Sequence, residues 1–279
     1  MLSTPPSRNV PARAAPPDGM VTRWLRFRHA DATGFGTLED GRIRVHEGDM
    51  FAGACATGEY LQLHEVALLA PVQPSKIIAL WNNFKALGDK LGLAAPTEPL
   101  YLLKPPNAWL EPGGVIRKPS QPGKIVFEGE LGIVIGRRAS GVAECEALRH
   151  VFGYTCGNDV SHADILARDP SFTQWVRAKG FDTFCPFGPV VACGLDAHTL
   201  VVRTLLDGVV RQDYPVSDMR FSVAQLVSRI SHDMSLLPGD IILCGTSLGV
   251  GSMALGSTVE VEITGIGRLT NRFDSMKEG

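Results

Sequence analysis

Two glutamates inside one apolar segment are the first residues of this chain that could do chemistry. In KIVFEGELGIVIG, residues 124–136, the β-branched and apolar side chains predict a strand that carries Glu128 and Glu130. Because strand side chains alternate between faces, both carboxylates should point to the same side. Such a pair suits a solvent-exposed sheet face, a basic partner on a neighbouring strand, or a divalent cation held by carboxylate oxygens.

A third acid stands downstream at the end of another predicted strand. The segment GYTCGNDVSHAD, residues 153–164, places Asn158 and Asp159 where a side chain can be aimed into a site. An aspartate in this position serves a turn, a helix cap or a metal ion. Mg²⁺ and Mn²⁺ keep several waters, so two or three acids suffice to hold them. Glu128, Glu130 and Asp159 are therefore candidate metal ligands.

Composition narrows the classes of protein to which the chain can belong. The 279 residues are 44% hydrophobic and 20% charged, which is ordinary for a globular protein. The net charge of −2 favours neither nucleic acid nor an anionic membrane surface as a partner. No apolar run approaches the roughly 20 residues of a membrane span. Six cysteines without C-x-x-C spacing, and an N-terminus without an apolar signal segment, predict a cytoplasmic protein.

The pattern along the chain predicts three parts. Residues 1–19 are rich in Pro, Ala, Ser and Arg and are predicted to be a disordered tail. Residues 20–72 are predicted to form a small β-rich N-terminal domain, with a hairpin turn at Asp40-Gly41. Residues 73–279 should form an α+β, β-rich main domain. Its predicted strands are 76–80, 99–106, 131–136, 189–193, 199–206, 240–244 and 258–263, and its predicted helices are 83–93, 142–149 and 222–231.

Four ordered motifs make the sequence similar to a known family. FEGELGIVIG, GYTCGNDVS, WVRAKGFDTFCPFGP and LLPGDIILCGTSLGVG closely resemble the fumarylacetoacetate hydrolase family, over about residues 76–273. The resemblance implies a mixed, rolled β-sandwich with outer helices, a small N-terminal domain, and a homodimer. It also implies that Glu128, Glu130 and Asp159 bind Mg²⁺, Mn²⁺ or sometimes Ca²⁺.

The resemblance further implies a small 2-oxo or 2,4-dioxo acid as the substrate, chelated to the cation. Hydrolysis of a C–C bond in an acylpyruvate is the first expectation; decarboxylation, isomerisation and a non-catalytic binding role are the alternatives. Lys179, in RAKGFD, matches a family lysine that faces the substrate, where its charge would stabilise an oxyanion. Thr246, in CGTS, matches a threonine that holds the substrate carboxylate. Lys104, in LLKPP, is expected to have a supporting role.

The sequence departs from the family pattern at two places. A family lid reads N-Y-x-x-H with a glutamate three residues on, and NNFKALGDKLG puts Leu87 and Lys90 at those positions. Lys85 then becomes the candidate base for water, which requires a lowered pKa. The arginine expected after N-D is replaced by Ala163, next to His162. Four aromatic residues are candidates for the pocket wall or for the core: Trp81, Trp109, Phe184 and Phe187.

Overall fold

The computed structural model describes residues 21–166 and 168–275, so the predicted tail 1–19 lies outside the described residues. The helices are α1 (Lys85–Lys90), α2 (Glu144–Ala147), α3 (Ala163–Leu166), α4 (Trp175–Lys179) and α5 (Val223–Asp233). The strands are β1 (Thr22–His29), β2 (Ala32–Glu39), β3 (Arg42–Glu47), β4 (Cys55–Gln62), β5 (Ala67–Leu69), β6 (Ile77–Trp81), β7 (Leu100–Lys104), β8 (Trp109–Leu110), β9 (Val115–Arg117), β10 (Ile125–Phe127), β11 (Gly129–Ile135), β12 (Val151–Asn158), β13 (Ser161–His162), β14 (Cys185–Cys193), β15 (Val201–Leu206), β16 (Val209–Pro215), β17 (Ile241–Leu243), β18 (Gly251–Ser252), β19 (Thr258–Ile263) and β20 (Gly267–Asp274).

Two large sheets and one small sheet make up the fold. The largest has the order β4-β3-β2-β1-β14-β12-β11-β17-β6-β7, with β5 beside β1 and β8 beside β14. A second sheet has the order β16-β15-β19-β20-β9, and β13-β10-β18 forms the third. Most neighbours are antiparallel, but the pairs β17–β6, β14–β8 and β20–β9 are parallel. The predicted β-rich, mixed sandwich is thereby confirmed.

The main core lies between the two large sheets. Leu131, Ile133 and Ile135 from β11 belong to the same buried cluster as Val202 and Val261 from the second sheet. The other face of β11 is also covered, because Val134 packs in a second buried cluster. Strands that are covered on both faces read as continuous apolar runs, as ELGIVIG does. None of the helices in the described residues is long and apolar enough to cross a bilayer.

The N-terminal strands extend the main sheet. Strand β1 pairs antiparallel with β14, so that Thr22 lies opposite Cys193 and Trp24 opposite Val191. The predicted hairpin joins β2 and β3, and the positive φ angles of its two turn residues (48° and 78°) suit this two-residue connection. The N-terminal segment therefore shares hydrogen bonds with the strand layer that carries the candidate site.

One local prediction is wrong: no single strand carries both Glu128 and Glu130. Strand β10 ends before Glu128 and pairs with the small sheet, whereas β11 begins after it and pairs with the largest sheet. Glu128 stands where the chain passes from one sheet to the other. Its backbone N–H donates to Asn158 Oδ1 at 3.0 Å, and its carbonyl accepts from the Asp159 N–H at 2.9 Å. These two bonds connect the strand break directly to the N-D motif.

The remaining element predictions agree in position, and several differ in length; the strand predicted over 258–263 is β19 with the same bounds. All seven strands predicted in the main domain are present. The helix predicted over 83–93 is only α1, and that over 142–149 is α2 followed by a 3-10 turn at Leu148–His150. Helix α4 had no sequence signal that we identified, although Lys179 is its last residue.

We predict that truncating Leu25 destabilises the whole protein. Leu25 lies on β1, is 0% exposed and belongs to the main core, so Leu25→Ala should lower the free energy of unfolding by about 2–5 kcal/mol. Urea unfolding would measure this, and one shared transition is expected because β1 and β14 belong to one sheet. Leu148→Ala is the control, since Leu148 is 56% exposed and should change stability by less than about 0.5 kcal/mol. A separate transition for the N-terminal segment would contradict the prediction.

Candidate metal centre

Three acids predicted from the sequence converge at one point. Glu128 lies in the break between β10 and β11, Glu130 is the second residue of β11, and Asp159 directly follows β12. Strands β11 and β12 are paired so that Gly129 lies opposite Asn158, which places the acids side by side. One carboxylate oxygen from each acid lies within 4.8 Å of the other two. Glu130 and Asp159 are buried and Glu128 is half-buried, so the alternative of a solvent-exposed face is wrong.

Two buried lysines lie against this acidic cluster. Lys179 Nζ lies 2.6 Å from Asp159 Oδ2 and 3.0 Å from Glu128 Oε2. Lys104 Nζ lies 2.7 Å from Asp159 Oδ1 and also donates to two backbone carbonyls, those of Val160 and Phe184. Two ammonium groups oppose three carboxylates, so one negative charge of the ionised cluster is not balanced by these lysines. A basic partner is therefore present, but it does not neutralise the cluster.

The chemistry of Glu130 fits a bound cation. Its Oε2 accepts the Gly245 N–H at 2.8 Å, whereas Oε1 is buried and has no hydrogen-bond partner among the described residues. An ionised carboxylate oxygen can only accept, and a buried acceptor without a partner costs about 1–3 kcal/mol or more. A proton or a metal ion would satisfy this oxygen. Three converging carboxylates are the hard oxygen donors that Mg²⁺, Mn²⁺ and Ca²⁺ prefer, so the residues present fit a divalent cation.

Burial raises the pKa values of all three acids, but the lysine charges reverse the direction at Asp159. Burial raises the pKa of Glu130 well above its usual range, and the negative charges of Asp159 and Glu128 raise it further. The pKa of Glu128 is also raised, chiefly by burial. Burial alone would raise the pKa of Asp159, but the charges of Lys104 and Lys179 outweigh it and hold that pKa below its usual value.

The same charges fix the protonation state of Lys179. Burial alone would lower the pKa of its ammonium group, but Asp159 and Glu128 outweigh burial and raise that pKa above its usual value. Lys179 therefore stays positively charged at neutral pH. In this arrangement it can stabilise negative charge on a ligand, but it cannot accept a proton.

A hydrogen-bonded network connects the two glutamates to Thr246. The Thr246 hydroxyl donates to the Gly129 carbonyl at 3.0 Å, and Gln212 Nε2 donates to the Thr246 hydroxyl at 2.8 Å. Gln212 Oε1 accepts the Gly129 N–H at 3.0 Å, and the Tyr214 hydroxyl donates to the Gly129 carbonyl. The sequence analysis missed Gln212 and Tyr214. Both side chains are buried on β16, but Gln212 stands between Arg211 and Asp213 in VVRQDYP, so the local sequence does not distinguish it from a surface residue.

The structure does not bring Lys85 to the acids. Its side chain is exposed at the start of α1, and it forms no ion pair or hydrogen bond with the three carboxylates in the described part of the chain. Leu87 is half-buried and Lys90 is exposed on the same helix. The role of Lys85 as a base therefore stays a prediction without geometric support.

His162 and Ala163 do not supply the arginine that the family pattern expects. The His162 ring is fully buried, stacks on Phe181 at a centroid distance of 5.9 Å, and makes no hydrogen bond within residues 21–166 and 168–275. Its strand neighbour is Ile125, on the small sheet. Ala163 begins α3. No group with an arginine's charge stands at either position.

The four candidate aromatic residues divide between the core and the edge of the site. Phe184 and Phe187 are fully buried in apolar clusters, and Trp109 packs against one of these clusters. Trp81 is half-buried at the end of β6, and its ring lies 5.0 Å from that of Trp175 at the start of α4. Of the four, Trp81 thus contacts the helix that ends in Lys179.

Comparison with known proteins agrees with the motifs. Residues 76–274 match the family described as fumarylacetoacetate (FAA) hydrolase C-terminal, and residues 22–71 match the family described as Rv2993c-like, N-terminal. The chain is 43% identical over 262 residues to protein Rv2993c of Mycobacterium tuberculosis, which covers 93% of this chain and 96% of that protein. It is 37% identical over 205 residues to the mitochondrial oxaloacetate tautomerase FAHD1 of Arabidopsis thaliana, covering 72% and 91%.

Two solved structures describe the fold and the chemistry of relatives. A 2-hydroxyhepta-2,4-diene-1,7-dioate isomerase from Mycobacterium marinum is 38% identical, with a TM-score of 0.85 over 92% of this chain and 100% of that chain. A fumarylpyruvate hydrolase from Pseudomonas aeruginosa, in complex with Mn²⁺ and pyruvate, is 28% identical. Its TM-score is 0.68 over 74% of this chain and 91% of that chain. Relatives therefore include both isomerases and hydrolases.

We predict that the affinity for Mn²⁺ rises with pH. A metal ion needs ionised ligands, and Glu130 binds a proton in the metal-free protein at a pH above its ordinary pKa of 4.5. Protons therefore compete with the metal as the pH falls through the raised pKa of Glu130. Calorimetric titration at several values between about pH 5 and 8 would show this dependence.

Two variants separate this effect from general pH sensitivity. Glu130→Gln should bind Mn²⁺ weakly and lose this part of the pH dependence, because it has no carboxylate to titrate. Glu144→Gln is the matched control, because Glu144 is exposed on α2 and should keep both the affinity and the pH dependence. An affinity for Mn²⁺ that does not change with pH in the unmodified protein would contradict the prediction.

Proposed function

Since this chain belongs to the fumarylacetoacetate hydrolase family, we propose that it is a divalent-metal-dependent enzyme that acts on a small 2-oxo acid. The supporting observation is the convergence of Glu128, Glu130 and Asp159, together with a Glu130 Oε1 that has no hydrogen-bond partner among the residues that the structure describes. A bound Mg²⁺ or Mn²⁺ ion, or less commonly Ca²⁺, would act as a Lewis acid towards the 2-oxo group. We keep the homodimer and the cytoplasmic location as predictions from the sequence.

Lys179 and Thr246 have complementary roles in this proposal. Lys179 contacts two of the three carboxylates and stays charged, so it would stabilise the negative charge that develops on the 2-oxo oxygen. Thr246 follows Gly245, whose N–H bonds to Glu130 and whose φ of +89° favours glycine. Thr246 is thus adjacent to the residue that binds Glu130, it bonds to the backbone between the two glutamates, and it would hold the substrate carboxylate.

Within this class we propose keto–enol or double-bond isomerisation as the reaction. In a keto–enol isomerisation the carbon beside the 2-oxo group loses one proton to solvent and the 2-oxo oxygen gains one proton from solvent, so the protons balance and no water is consumed. The site supplies charge stabilisation for that step through Lys179. The relatives described as an isomerase and a tautomerase are 38% and 37% identical to this chain, which also favours this reaction.

Hydrolysis of a C–C bond is the second candidate. It is favoured by the relative described as a fumarylpyruvate hydrolase with Mn²⁺ and pyruvate. Hydrolysis requires a base that removes a proton from water. Lys179 cannot serve because it is charged, and Leu87 and Lys90 occupy the positions of the family base pair. Lys85 would have to move from its exposed position to act.

The first experiment is an assay panel with Mg²⁺ or Mn²⁺, repeated after EDTA treatment. It would follow the keto–enol conversion of oxaloacetate by ultraviolet absorbance and the release of pyruvate from oxaloacetate and acylpyruvates. We expect metal-dependent tautomerisation without release of pyruvate. Pyruvate from oxaloacetate alone would instead indicate a decarboxylase, and pyruvate from an acylpyruvate would indicate a hydrolase. Metal binding without turnover on the whole panel would favour the non-catalytic binding role.

We predict that losing one ligand abolishes most of this activity. Glu128→Gln and Asp159→Asn should each lower kcat/KM by more than about 100-fold, because changes merely around metal ligands already cost 10- to 100-fold. The control is Glu144→Gln, which removes an exposed carboxylate on α2 that is not part of the cluster. Unchanged metal binding and turnover in both ligand variants would exclude the proposed site.

Lys85 can be tested separately if an acylpyruvate is hydrolysed. Loss of a general base should lower kcat by about 10²- to 10⁴-fold, so Lys85→Met should lose most of that hydrolysis. Lys90→Met is the matched control, because Lys90 is exposed on the same helix. Equal hydrolysis by the two variants would exclude Lys85 as the base.

A further inference from the structure

We propose that Gln212 is a positioning residue that fixes the direction of the Thr246 hydroxyl, so that Thr246 presents a proton to the substrate carboxylate. The inference rests on the proposed function, because it concerns the group that would hold the 2-oxo acid. Gln212 lies on β16 and is buried, and within the described part of the chain its side chain makes no hydrogen bond to the three acids. Its contacts are with Gly129, which separates the two glutamates, and with the loop that carries Thr246.

The orientation of the Gln212 amide follows from its first contact. The Gly129 N–H lies 3.0 Å from the Gln212 side chain, and a backbone N–H can only donate. The Gln212 atom that faces Gly129 must therefore be the oxygen, Oε1. The NH₂ group then points the other way, towards Thr246 Oγ at 2.8 Å and the Ser247 carbonyl at 3.2 Å.

This orientation leaves the Thr246 hydroxyl only one role towards Gln212. An NH₂ group can only donate, so Thr246 Oγ accepts from it and keeps its own proton for another acceptor. In the structure that acceptor is the Gly129 carbonyl, at 3.0 Å. The direction of the hydroxyl is thus determined by a chain of bonds that begins at the backbone between Glu128 and Glu130.

The Thr246 hydroxyl can redirect its hydrogen bond to a ligand without leaving a buried carbonyl unsatisfied. The Gly129 carbonyl also accepts from the Tyr214 hydroxyl at 2.5 Å, so it keeps one donor when Thr246 turns away. A carboxylate can only accept hydrogen bonds, and it would accept the one that the Thr246 hydroxyl donates. The arrangement therefore favours ligands with an anionic oxygen at this position over amides that would present an NH₂ group there.

The isosteric change Gln212→Glu tests the direction of the hydroxyl. A glutamate can accept the Gly129 N–H but would also accept from Thr246, so the hydroxyl proton would point away from the ligand. A hydrogen bond to a charged group contributes enough that its loss should weaken binding by about 10- to 100-fold. The probe is oxalate, a carboxylate ligand that binds without needing turnover, titrated calorimetrically into the Mn²⁺-loaded protein.

Four variants complete the test. Thr246→Val should weaken oxalate binding to the same extent, and Thr246→Ser should retain it, because serine keeps the hydroxyl. Adding Gln212→Glu to Thr246→Val should cause no further loss, since Gln212 acts through Thr246. Gln212→Met should also weaken oxalate binding. In every variant the affinity for Mn²⁺ should stay within about threefold of that of the unmodified protein. If Gln212 instead held the acids in place, its variants would lose affinity for Mn²⁺.

The results that would contradict this role of Gln212 differ from those that would contradict the proposed function. The inference would be overturned if Gln212→Glu bound oxalate with full affinity. If Gln212→Glu did not fold, full oxalate affinity in Thr246→Val would overturn it. So would additive losses in the double variant, or loss of Mn²⁺ affinity in all Gln212 variants. Failure of the unmodified protein to bind Mn²⁺ would instead refute the proposed function. Oxalate binding that responds to Gln212 as expected supports the inference even where no substrate in the panel is turned over.

Discussion

The burial of three carboxylates in one cluster is the constraint on which the rest of the site depends. Removing a charge from water costs several kcal/mol, so a buried acid must be paired or must lose its charge. Lys104 and Lys179 offset Asp159 and part of Glu128, and Glu130 receives only one backbone N–H. Glu130 is thus the acid that these lysines leave without an ion pair, and its Oε1 has no hydrogen-bond partner in the described part of the chain. A divalent cation there would satisfy this oxygen and would change the net charge of the ionised cluster from −1 to +1, which favours an anionic ligand.

The fold meets this constraint by ending one sheet where another begins. The backbone leaves the small sheet at Phe127 and enters the largest sheet at Gly129, so Glu128 is free of both ladders and its carboxylate can turn towards Asp159. A side chain at position 129 could not fit, because a Cβ there would overlap Thr204 Oγ1. The glycine between the glutamates is therefore required by packing, and it also exposes the backbone N–H and carbonyl that Gln212, Tyr214 and Thr246 bind.

The part of this site that could be predicted from sequence is the part with local signals. The acids stand in short motifs, and β6 and β19 have apolar patterns that identify them. The break at Glu128 had no such signal, because VFEGELG reads as one strand until its partners are known. The lysine pairs and the Gln212 contacts depend on register between segments 20 to 83 residues apart. Resemblance to a family identified Lys179, whereas nothing local distinguished Gln212 from a surface residue.

Electrostatics also decides which reactions the site suits. The negative charges of Asp159 and Glu128 raise the pKa of Lys179 and hold it in the charged state, so this lysine stabilises negative charge and is not a neutral base. The Thr246 hydroxyl, directed by Gln212, is likewise a donor to an anion. A site of this kind is suited to a 2-oxo acid whose oxygen becomes negative during the reaction. Hydrolysis needs a proton acceptor for the attacking water, which Lys179 cannot provide, whereas a keto–enol conversion can exchange its protons with solvent. This distinction follows from the charge of Lys179 as well as from the residues at the lid positions.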